Sequence, residues 1–492
     1  MRRRRFETCL IAFLFVCAAS AQSSGVEPAQ SGLGEYDPGA LDEISDAQRA
    51  EIEALLRQSG ASLERRGLLP RGAAPPVRFG WPLLQVGATD YGYHGTSPFV
   101  DHDSRYMFIL DYQCGQRSYD LPTGYNHKGT DIFLWPFAWN KMDAEEVHVV
   151  AAAPGVIFAK FDGNFDRNCA FNSQLWNAVY LQHADGTMSW YGHLKKGTVT
   201  GKDAGDTVAE GEYLGAVGSS GSSTAPHLHF EVHAPNGDLL DPFAGDCNQW
   251  NAESLWRTQP PYYDSAINHL AVGPAPPILS PCPNPDKPNE SDFVSRGSTV
   301  YFTTYYRDQL GTLTAEHAIY DANGQLYSSW MHMSPVPHYV ASYWYFQFND
   351  FAAGAPTGTW RYQVIFNGET YHRDFALLAG DADTPTPTST RTPTDTRIPT
   401  ASATPRPTRT KTPTRASSPT RTSTPTRTVA TGPTPTPHPG DTSCDARLSA
   451  ADLVELYRLI GGVVAPTCNT ADVDRNGVVD ERDLAALVAA LF

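Results

Sequence analysis

The residues best suited to chemistry lie in Pro226-His227-Leu228-His229-Phe230-Glu231-Val232. Read as a β-strand, this stretch turns His227, His229 and Glu231 to one side and Leu228, Phe230 and Val232 to the other. Upstream, His127-Lys128-Gly129-Thr130-Asp131 offers a histidine and a carboxylate four residues apart, and Trp190-Tyr191-Gly192-His193-Leu194 offers a further imidazole. A catalytic zinc site takes three N/O ligands and leaves one position for water. One carboxylate and two neutral imidazoles supply such a set. The two remaining imidazoles then serve proton transfer and stabilisation of an oxyanion, which amide hydrolysis also needs. A fourth permanent protein ligand would close the site and argue against hydrolysis.

These side chains need a rigid frame. From Phe79-Gly80-Trp81-Pro82-Leu83 onward, short candidate strands at 147–152, 155–161, 177–182 and 187–191 are separated by Pro154-Gly155, Asp162-Gly163, Asp185-Gly186 and the 218–221 glycine-serine turn. The spacing predicts a compact antiparallel β domain over 76–256. Histidines 148, 183 and 233 lack partners at ligand spacing and read as structural or exposed. His102 and Asp103 are adjacent on an extended chain and point apart. Glu231 reads as a support for a ligand, and Asn177 as an orienting or strand-end hydrogen-bonding residue.

The chain has 492 residues, 11% aromatics and a formal charge of −16. That is too long for one core and too acidic for general nucleic-acid binding. Residues 1–21 read as a secretory signal, with Arg2–Arg5, a short apolar run and Ala19-Ser20-Ala21 before Gln22. No later stretch has transmembrane length, so the expected location is extracellular, with periplasm or cell surface as alternatives. Export makes disulfides plausible for Cys114, Cys169, Cys247, Cys282, Cys444 and Cys468, with sequential pairing favoured. Residues 22–75 are expected to be peripheral, as a tether or a segment covering the site. Ser45-Asp46-Ala47-Gln48 opens a helix there, with Gly60 near its end.

Residues 257–285 are expected to connect to a second β unit, 286–380. Its strands are predicted at 298–307, 316–321, 325–333, 339–349, 359–366 and 370–378, with hairpin turns at Asn323-Gly324 and Asn367-Gly368. This predicts an immunoglobulin-like sandwich. Residues 383–439, rich in Thr and Pro, cannot bury a core and read as a disordered linker. In the tail, 440–492, Asp472, Asp474, Asn476, Val478, Asp480 and Asp483 occupy calcium-loop positions, with Gly477 at the turn. A weaker copy has Asp441, Ser443, Asp445, Ser449 and Asp452, with Ala446 where glycine belongs. Each loop precedes an amphipathic helix. The fold class expected is therefore mainly β: an antiparallel β domain, a β-sandwich, a Thr/Pro linker and a small helical tail.

The tail resembles a dockerin, which implies one or two structural calcium ions and a cohesin partner. The central region, about 120–245, resembles the lysostaphin/LytM-type zinc endopeptidases. The resemblance is carried by H-x-x-x-D, by Tyr-Gly-His-Leu and by H-x-H. It extends to the turn around Val149–Gly155 and to Gly205-Asp206-Thr207-Val208 before Gly215 and Gly218-Ser219-Ser220-Gly221. It implies a secreted, zinc-dependent endopeptidase cutting peptide cross-links of bacterial peptidoglycan. His127, Asp131 and His229 would bind one zinc, with His193 and His227 catalytic. Long insertions at 133–142 and 162–176 depart from the pattern near the groove. A non-catalytic wall-binding or scaffold-docked adaptor, and a protease of extracellular proteins, are the alternatives.

Overall fold

The computed structural model describes residues 27–70, 74–87 and 90–380. The signal sequence, the Thr/Pro linker, both calcium loops, Cys444 and Cys468 lie outside the described residues. Among those described, no helix is long and apolar enough to cross a membrane. The architecture is mainly β.

The central sheet alternates with the sequence as period-2 patterning requires. Its strands run in the order His94–Thr96, Thr130–Leu134, His227–His233, Met188–Gly192, Ala178–Gln182, Gly155–Phe161 and Thr207–Val208, all antiparallel. Leu239–Leu240 pairs with the far end of His227–His233. A three-stranded sheet of Tyr213–Ala216, Val147–Val150 and Leu83–Gln85 packs beside it. Leu228, Phe230 and Val232 join Ile132, Val149, Val179, Tyr191 and Trp256 in one buried core. The opposite face of the same strand carries the histidines.

The second unit is a two-sheet sandwich. One sheet has Phe293–Ser295, Glu369–Leu378, Gly358–Phe366, Thr314–Tyr320 and Leu326–Met333; the other has Val300–Leu310 and His338–Phe348 between two edge strands. The edges come from unexpected places. Ala266–Gly273, placed in a connector by sequence, pairs with Val300–Leu310. Gln30–Tyr36, from the segment expected to be peripheral, pairs with His338–Phe348. Gly32 and Gly34 make this possible, because a Cβ at either position would collide with the Tyr345 or Tyr343 ring. Asn367 and Gly368 both have positive φ, as the two-residue hairpin turn requires.

Two further expectations are corrected. The helix Asp46–Arg66 begins at the Ser45–Gln48 capping box but runs through Gly60 to a left-handed cap at Gly67. Gly60 is there for proximity: a Cβ would crowd the Phe158 ring. The disulfides join Cys114 to Cys247 and Cys169 to Cys282, not sequential neighbours. Folding brings the 111–117 loop against 245–247 through Cys247 N–H donating to the Tyr112 carbonyl, and Gly245 packs on that same residue. The 162–176 insertion likewise meets the chain after Ala266–Gly273.

Candidate metal and catalytic site

Strand register assembles the site. His229 pairs with Asp131 on one side and with Gly192 on the other. Gly192 ends its strand, and His193 follows with φ of 61°, a left-handed conformation that is costly for a histidine. His127 lies in the turn before Thr130–Leu134. His127, Asp131, His193, His227 and His229 are all completely buried.

Their atoms converge. His229 Nδ1 lies 2.9 Å from Asp131 Oδ1, and His127 Nε2 lies 3.2 Å from Asp131 Oδ2. The His193 and His227 ring centroids are 4.4 Å apart beside them. His127 Nε2, Asp131 Oδ2 and His227 Nε2 have no hydrogen-bond partner despite burial. Buried polar atoms without partners are costly and rare. Zinc bonds of about 2.0 Å in a tetrahedron separate ligand atoms by roughly 3.3 Å, so His127 Nε2 and Asp131 Oδ2 are spaced as two ligands of one ion.

Each imidazole is held at its other nitrogen. His127 Nδ1 donates to the Phe99 carbonyl at 2.7 Å, His193 Nδ1 to Ser220 at 2.6 Å and His227 Nδ1 to Ala225 at 2.8 Å. His229 uses Nε2 instead, donating to Glu231 at 2.9 Å. These bonds select the tautomers that leave His127 Nε2 and His229 Nδ1 as lone-pair donors. Trp176, from the 162–176 insertion, packs its ring against His193 and His229 at 4.8 and 5.5 Å.

A sixth residue was not foreseen. Asp42 Oδ2 lies 2.6 Å from His229 Nδ1 and 3.0 Å from His193 Nε2. Its Oδ1 accepts from Tyr119 at 2.7 Å and Tyr125 at 2.9 Å. Asp42, His127, Asp131 and His229 thus present four donor atoms within 4.8 Å of one another. The expectation that one coordination position would face open water is corrected: Asp42 covers it. No sequence signal marked this aspartate among Asp37, Asp42, Glu43 and Asp46.

Charge is balanced by contact. Burial works to raise the Asp42 carboxyl, but the His229 charge and the His193 hydrogen bond hold it well below the usual carboxylate range. Burial likewise opposes ionisation of Glu231, yet Arg49 and the bonds from His229 and His233 keep it well below. Burial, reinforced by His227, pushes His193 down. The other histidines are structural: His183 bonds the Pro154 carbonyl and Ser189, and His102 bonds Asp241. Asn177 ties Asn164 to Leu194 and so anchors the 162–176 insertion.

Residues 125–242 match the sequence model of Peptidase family M23. The match contains all five side chains anticipated from the sequence; Asp42 lies outside it. A DD-carboxypeptidase/endopeptidase, Mpg, of Neisseria meningitidis is 42% identical over 66 residues, 13% of this chain and 14% of that protein. The peptidoglycan DD-endopeptidase ShyC of Vibrio cholerae is 33% identical over 82 residues, 17% of this chain and 18% of that protein. The chain therefore spans less than a fifth of the length of these curated relatives. The lysostaphin catalytic domain of Staphylococcus simulans aligns at 23% identity over 30% of this chain and 89% of that one, with a TM-score of 0.20.

Proposed function

We propose that this chain is a secreted zinc endopeptidase that hydrolyses peptide bonds in bacterial peptidoglycan cross-links. The observation that carries the reading is the convergence of His127 Nε2, Asp131 and His229 Nδ1, each oriented by a bond on its far side, inside the segment similar to family M23. His127, Asp131 and His229 would hold the ion. Zinc bound there supplies a water acidic enough to ionise near neutral pH and a Lewis acid for the scissile carbonyl.

The remaining work falls to side chains. His193 and His227 direct Nε2 toward the same point, each with Nδ1–H tied to a carbonyl, so each accepts or donates a proton only at Nε2. One takes the proton of the attacking water; the other donates to the developing oxyanion. Trp176 excludes solvent from His193 and His229. The 76–256 unit would carry this reaction. The sandwich would serve as an accessory domain, the 383–439 linker as a spacer, and the 440–492 tail as a calcium-binding module for a cohesin.

The test uses the mature chain, its Asp42→Ala form and Asp131→Asn. Zinc is measured by elemental analysis, and purified sacculi are digested with and without a chelator, with released peptides identified by mass. One zinc per chain, lost in Asp131→Asn, and chelator-sensitive peptide release are expected. Sacculus binding without any cleavage, unaffected by Asp131→Asn, would favour the adaptor reading. For the tail, calcium calorimetry with Asp472→Ala is decisive, since no heat would remove that module.

A further inference from the structure

We infer that residues 36–45 form a built-in latch that keeps the site closed, with Asp42 in the coordination position a hydrolytic water requires. This rests on the zinc reading above and specifies its regulation. Two independent features carry it beyond the aspartate alone.

The first is the path of the chain. Leu41 accepts a backbone hydrogen bond from Thr224 N–H at 2.9 Å, and Asp42 forms an antiparallel bridge with Ser223. An extended segment thus lies along the 222–224 edge beside the histidines, as an added strand does on a sheet edge. Leu41 is completely buried in a cluster with Phe133, Trp135, Phe137 and Tyr305, so the peptidase-like unit and the sandwich close over it together.

The second is anchorage on both sides. Before the segment, Gln30–Tyr36 is bound into the sandwich sheet. After it, Gln48 donates to the Asn172 and Gln174 carbonyls of the 162–176 insertion, and Arg49 grips Glu231. Held at both ends, the segment faces the site at high effective concentration, so the closed state dominates without needing tight contacts at each atom.

The experiment reads the metal position directly. In the cobalt-substituted full chain, acetohydroxamate is titrated while the visible bands are followed, and the same is done for Asp42→Ala and Leu41→Ser. Both variants should respond at a concentration at least tenfold lower than the natural chain. Zinc should also leave Asp42→Ala faster than the natural chain when dipicolinate is added, and sacculus lysis should rise at least tenfold. Identical titrations in all three proteins would overturn the latch. So would metal loss from Asp42→Ala as complete as from Asp131→Asn, which would make Asp42 a permanent structural ligand. An open Asp42→Ala site that cuts no sacculus would uphold the latch while removing the peptidoglycan reading.

Discussion

Arg49 reaches both oxygens of Glu231, at 3.0 and 2.7 Å, while the same Glu231 accepts from His229 Nε2. A helix from the N-terminal segment thereby touches the far side of a candidate zinc ligand. Glu231 shares its strand face with His227 and His229, as the alternation implied, and its carboxylate fixes the His229 tautomer.

Glu231→Gln should weaken zinc binding by roughly 10- to 100-fold, the usual cost of losing the carboxylate behind a metal-bound histidine. It also leaves the Arg49 charge buried without its partner, so stability should fall by about 3–5 kcal/mol. Competition with a fluorescent zinc chelator and urea denaturation measure the two effects separately.

Gly129→Ala looks conservative but is expected to be severe. A Cβ at Gly129 would overlap the His229 ring, which cannot swing away because both its nitrogens are engaged. Zinc retention should drop at least tenfold with little change in secondary structure by circular dichroism. Retention equal to the natural chain would show that the ring has more freedom than its bonds indicate.

Asp90 links the two units and gives a pH signature. It lies 2.8 Å from His269 of the sandwich and 2.5 Å from Lys141, while His269 also bonds Glu290 at 2.9 Å. Burial works to raise Asp90, but the His269 bond and charge, then Lys141, bring it down to about 2. A depressed carboxylate contributes stability above its unfolded value of 3.8 and loses it as pH falls toward about 2. The shift corresponds to about 2 kcal/mol. His269 is raised against the opposing effect of burial, so its contribution is complete below 6.5 and fades as pH climbs past its raised value. Asp90→Asn should flatten the acid limb of a urea-midpoint profile and weaken the alkaline limb.

Cys169→Ser with Cys282→Ser should free the 162–176 insertion that carries Trp176. The bridge closes a separation of 113 residues, for which chain entropy gives roughly 4–5 kcal/mol. A lower melting temperature, and faster proteolysis within the insertion than elsewhere, are expected.

Much of the site was legible because strand geometry is local. H-x-H on an alternating strand must place both rings on one face, and H-x-x-x-D leading into the neighbouring strand supplies a carboxylate at matching register. The sandwich strands followed from β-branched and aromatic alternation bounded by turns such as Asn367-Gly368. The mainly β class needed nothing more.

Contacts between distant segments have no such local code. Asp42 meets His229 across 187 positions of chain only because the Gln30–Tyr36 strand and the Asp46–Arg66 helix bind different surfaces and stretch the intervening residues across the cleft. The pairing of Cys114 with Cys247, and of Cys169 with Cys282, depends equally on which loops the packed sheets bring together. Residue types and short spacings determined which atoms can bind a metal ion. Tertiary packing alone decided which further carboxylate reaches that ion, because the proximity arises from long-range burial and strand pairing that no short stretch of sequence encodes.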